Sequence, residues 1–107
     1  MRNSAKSAIA LLPDQSVSGR AQTEHAQKYI KQLCSHWGPK GEVSVDGDTS
    51  RIRFDSGNSV TMIPKTNELI LQATTVPRGD LEAWQSVVEN HLKRFAFRED
   101  FVIDWEI

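Results

Sequence analysis

Three histidines and one cysteine are the side chains of this 107-residue chain best suited to chemistry near neutral pH. His25 and His36 lie in a segment patterned as a helix, eleven positions apart. At 3.6 residues per turn they project within about 20° of each other, but they are separated by roughly 16 Å of helix axis. That is too far for two ligands on one ion. Gln32, one turn before His36, is spaced to share a ligand with it, yet the HExxH spacing of zinc proteases is absent. The spacings therefore define no metal site.

His91 falls within the apolar stripe of a second patterned helix, between Trp84 and Val87 on the helical wheel. A histidine there is expected to be a core group with its ring nitrogens satisfied, or else a general base if solvent reaches it. If the two helices lie side by side, His91 and His36 approach each other across the groove between them. Cys34 borders the apolar stripe of the first helix with no cation placed to lower its pKa, and it reads as a small core residue. No nucleophile elbow, P-loop or GxGxxG is present, and no pair of carboxylates has a spacing that argues for acid–base work. In His91-Leu92-Lys93-Arg94-Phe95-Ala96-Phe97-Arg98-Glu99, cations alternate with aromatics. The segment reads as a helix end packing Phe95 and Phe97 under a polar rim. Arg94 and Arg98, four apart, are spaced to clamp a carboxylate or phosphate.

The elements that must position these groups follow from periodicity. Ala26, Ile30, Leu33, Cys34 and Trp37 form one face of a helix over Thr23–Gly38, with Thr23 suited to the N-cap and Gly38-Pro39 to the stop. Ser16–Gln22 alternates as a short strand before it. From Glu42 to Ala73 the period is two: Val43/Val45, Ile52/Phe54, Val60/Met62 and Leu69/Leu71/Ala73 each mark one face. The connections Asp46–Thr49, Asp55–Asn58 and Pro64–Asn67 are turn chemistry, and turns this short require antiparallel neighbours. A second helix begins at Asp80 and runs to Phe95–Phe97 through Leu81, Trp84, Val88, Leu92 and Phe95. Phe101–Trp105 closes the chain as a strand. The order β-α-β-β-β-β-α-β predicts an α+β two-layer sandwich, an antiparallel sheet with both helices on one face.

Composition bounds the function. The length fits one domain, expected over residues 15–107 after a flexible leader at 1–14. The five-residue apolar run Ala8–Leu12 is too short for a secretory or membrane segment. A single cysteine excludes an internal disulfide framework and points to a reducing cytoplasm. The net charge of −1 removes the basic footprint of a nucleic-acid binder. That charge is uneven: residues 1–40 carry six Lys/Arg against two Asp/Glu, and the remainder seven against twelve.

The strings Glu24-His25-Ala26, Tyr29, Gln32-Leu33-Cys34 and His36-Trp37, followed by His91-Leu92, Arg94-Phe95-Ala96-Phe97-Arg98-Glu99 and Asp104-Trp105, resemble the bacterial domain-of-unknown-function 2218 family. The resemblance covers roughly residues 16–107. It implies no established activity. Because this domain also occurs attached to siderophore-interacting proteins, it implies an accessory role in iron handling. The sequence departs from the family in having Pro39 before Lys40, where a second histidine is common. The reading that results is a small cytoplasmic binding or accessory module without catalysis of its own and with no cofactor named. Its ligand, a small or anionic molecule, is expected between the helices at His36, Lys40, His91, Arg94 and Arg98. The alternatives are a structural homodimer and a small enzyme using His91 as acid and base.

Overall fold

The computed structural model describes residues 12–106. The leader expected at 1–14 falls outside them up to position 11, and Leu12 is 47% exposed. The elements run β1 (Gln15–Gln22), α1 (Ala26–Trp37), β2 (Glu42–Asp46), β3 (Thr49–Arg53), β4 (Ser59–Pro64), β5 (Glu68–Thr75), α2 (Leu81–Phe95) and β6 (Ile103–Trp105). They form the expected α+β arrangement of two helices and a six-stranded antiparallel sheet, in the order β2-β3-β4-β5-β1-β6. The meander β2–β5 follows from its short turns, whereas the placement of β1 between β5 and β6 is long-range pairing that no local pattern encodes.

Register aligns the apolar residues into rows on one sheet face. Ile52, Val60 and Ala73 lie side by side in one row, Met62 and Leu71 in the next, and Leu69 and Ala21 in a third, all nearly inaccessible to solvent. Ile30, Leu33 and Trp37 of α1 and Trp84, Val88 and Leu92 of α2 cover these rows and complete the core. Gly19 is required where it stands: a Cβ there would lie 2.8 Å from the Trp105 ring on β6. Trp105 Nε1 in turn donates to Glu89 Oε1 on α2 at 2.8 Å, so the last strand is tied to the helical layer.

Several local expectations shift. α1 begins at Ala26 instead of Thr23. The Thr23 hydroxyl still serves the entry to the helix, accepting from the His25 backbone N–H at 3.0 Å outside the first turn. Asp80 caps α2 as expected, its Oδ1 accepting from Ala83 N at 3.0 Å. β2 carries the period-two pattern but lies beyond the helices at the sheet edge, so Val43 and Val45 are exposed, Val45 at 66%. α2 stops at Phe95, so Arg98 lies in the following turn and does not share a helical face with Arg94. Phe97 is not packed under a rim but is 73% exposed. Among the described residues, no helix is long and apolar enough to cross a membrane.

Candidate functional site

The two helices meet the sheet side by side, and the seam between them gathers most of the chemically able side chains. Facing positions on α1 and α2 bring His36 and His91 to a ring-centre separation of 5.3 Å, with their planes inclined by 48°. His91 is half-buried at this seam and not inside the core, because Val87, which shares its stripe, is itself exposed. The His91 ring rests on Trp37 at 4.8 Å, and Trp37 stacks on Trp84 at 5.4 Å. His91 Nδ1 lies 2.8 Å from the Val87 carbonyl. A carbonyl only accepts, so this bond places the proton on Nδ1 and leaves Nε2 of the neutral ring as the lone-pair nitrogen. His36 is exposed and meets the edge of Phe95 at 6.1 Å.

Next to this pair the seam opens into a groove of about 430 Å³. From α1 it is lined by His25, Lys28, Tyr29 and Gln32, and from the end of α2 and the turn beyond by Phe95, Phe97, Arg98 and Glu99. The volume is that of a small-molecule site. Arg98 sits over the Phe97 ring, its guanidinium carbon 5.3 Å from the ring centre. Among the described residues the ion pairs are Arg20–Glu68 and Lys93–Glu89, and neither Lys28 nor Arg98 enters one. Gln32 Oε1 is a buried acceptor with no hydrogen-bond partner among the described residues.

The anionic end of the groove is held in place. Glu99 Oε2 accepts from the Tyr29 hydroxyl and, at 2.9 Å, from the Thr23 hydroxyl. Tyr29 is 4% exposed, and burial first, then the bond to Glu99 and its charge, push the phenol up to about 12. Burial likewise raises the Cys34 thiol, which favours the unreactive protonated form.

Of the five residues expected to form a site, the structure brings His36 and His91 together and places Arg98 on the adjoining groove. Arg94 is exposed and outside the groove lining. Lys40 lies elsewhere, in a more open hollow of about 630 Å³ with Glu42, Arg53 and Asp55, where the two cations and two carboxylates balance. Sequence reasoning missed Lys28, because nothing in a helix pattern tells one exposed lysine from another. It also missed the Tyr29–Glu99 bond, whose partners are 70 residues apart.

Comparison with known proteins agrees with this fold. The chain is similar to the NMR structure of PA4090 from Pseudomonas aeruginosa, with a TM-score of 0.68 and 27% identity over 85% of this chain and 94% of that one. None of the curated proteins compared matches it. Residues 18–106, which include both helices, all six strands in whole or in part, and the whole groove, match the family described as "Uncharacterized protein conserved in bacteria (DUF2218)". The chain belongs to this family.

Proposed function

We propose that this domain is a small binding module, without catalysis of its own, that takes an anionic and partly aromatic ligand in the groove between α1 and the turn after α2. The observation that carries the reading is the pairing of two cations with no ion pair among the described residues, Lys28 and Arg98, with the aromatic walls Phe95 and Phe97 around a hollow of small-molecule size. Arg98 presents a planar fork suited to carboxylate, phosphate or catecholate oxygens, and a ligand seated there would cover the exposed ring of Phe97. His36 and His91 flank this groove; Lys40 and Arg94 are not part of it. The family resemblance, with its link to siderophore-interacting proteins, supports one ligand class: ferric catecholate siderophores carry negative charge and aromatic donors, which suit a cationic, aromatic groove. A reducing cytoplasm is the compartment that goes with this reading.

The test is a thermal-shift and calorimetric screen of the full chain against a ferric catecholate siderophore, haem and inorganic phosphate. The reading expects saturable stabilisation by at least one of them. Arg98→Ala and Lys28→Ala should each weaken binding by about tenfold, or 1.4 kcal/mol, without lowering the unliganded Tm. No stabilisation by any of the three overturns it. A second reading, a homodimer, rests on one observation: β2 is an edge strand with Val45 66% exposed. Light scattering that finds only monomer at high concentration removes it.

A further inference from the structure

His36 on α1 and His91 on α2 stand at the ring-centre separation that two imidazoles on one metal ion adopt. Two imidazoles bound to one tetrahedral ion through metal–nitrogen bonds of about 2.0–2.1 Å have ring centres about 5 Å apart. His36 and His91 stand at 5.3 Å without an ion. The protonation pattern fits as well. The Val87 carbonyl fixes the Nδ1–H tautomer of His91 and leaves Nε2 as donor to an ion, which is the way metal-binding histidines are commonly oriented by a backbone carbonyl. Trp37 forms an apolar floor beneath His91, while His36 is exposed and gives an ion a path from solvent.

We infer that His36 and His91 together form a binding site for one borderline divalent transition-metal cation, of the zinc or nickel class that imidazole favours. Among the described residues no third His, Cys, Asp or Glu joins the pair, so water fills the remaining coordination positions and the ion exchanges readily. This site needs only the two imidazoles and does not depend on a ligand in the neighbouring groove.

Titration of the full chain with Zn2+ alone, followed by calorimetry and by the histidine side-chain 15N resonances, tests it. One ion per chain should bind, with the Nε2 resonance of His91 shifting on addition. His36→Ala removes an exposed side chain and so leaves the fold intact; it should weaken binding more than about tenfold. His25→Ala, at the exposed histidine outside the pair, should leave Zn2+ affinity within about twofold of the parent, inside the usual effect of surface changes. No uptake of Zn2+ at millimolar concentration overturns the site, as does a His36→Ala variant that binds like the parent. A site built elsewhere would show itself by loss in His25→Ala instead.

Discussion

The phenol of Tyr29 on α1 donates to the carboxylate of Glu99 in the turn after α2, and the hydroxyl of Thr23 donates to the same oxygen. This junction fixes the turn that carries Arg98 and Phe97 against the start of α1, so the groove keeps its shape through a hydrogen bond between groups 70 residues apart. Tyr29→Phe removes a bond to a charged acceptor and should cost about 1.5–3 kcal/mol in urea unfolding. If Tyr29→Phe matches the parent in stability, the junction does not hold the turn.

Tyr29 is the sole tyrosine, so its ionisation can be followed by ultraviolet absorbance without ambiguity. Its folded-state pKa lies at about 12, above the ordinary value of 10.0. Between those values the unfolded chain has lost the phenol proton that the folded chain keeps, so the unfolded state binds fewer protons and stability declines as pH rises. The contribution is complete below pH 10 and disappears as pH passes through 12. Glu99→Gln removes the negative charge and should move the absorbance midpoint downward, leaving the part due to burial. A midpoint at the ordinary tyrosine value in the native protein would contradict the burial.

Trp84 shows how the aromatic cluster is anchored beneath the histidine pair. Its indole N–H donates to the Ser59 carbonyl at 2.8 Å, inside the core. Trp84→Phe removes that bond and opens space beside Trp37. A loss of about 0.5–1.5 kcal/mol is expected from the bond alone, with the vacated volume adding to it. A change under about 0.5 kcal/mol, the usual size for surface substitutions, would show that the bond is dispensable.

Two glycines separate backbone strain from crowding. Gly47 has φ +64° and open space where a Cβ would go, so Gly47→Ala should cost only the left-handed backbone penalty of roughly 1–2 kcal/mol. Gly57 has φ +94°, and a Cβ there would run into Val76 Cγ1. Gly57→Ala should therefore lose clearly more stability than Gly47→Ala, and equal thermal melts would refute the crowding.

These relationships mark where sequence reading succeeds. The α+β order and the meander were legible because apolar period two and turn residues specify antiparallel neighbours locally, and the Asp80 cap acts within its own first turn. The meeting of His36 and His91 was legible only conditionally, since it needs α1 and α2 to lie side by side. The end of α2 was legible only to within Phe95–Phe97, a helix-compatible run, so the exposure of Phe97 and the setting of Arg98 in a turn were not apparent. Val43 and Val45 misled because alternation reports which residues share a face, not whether a helix reaches far enough to cover it.

The most direct test of the groove is amide chemical-shift mapping of the 15N-labelled full chain during titration with a ferric siderophore made diamagnetic by gallium substitution. Saturable shifts should concentrate at residues 25–32 and 95–99 and be lost in Arg98→Ala. Shifts confined to the β2 edge or to the hollow around Lys40, or no shifts at all, would contradict binding in the groove.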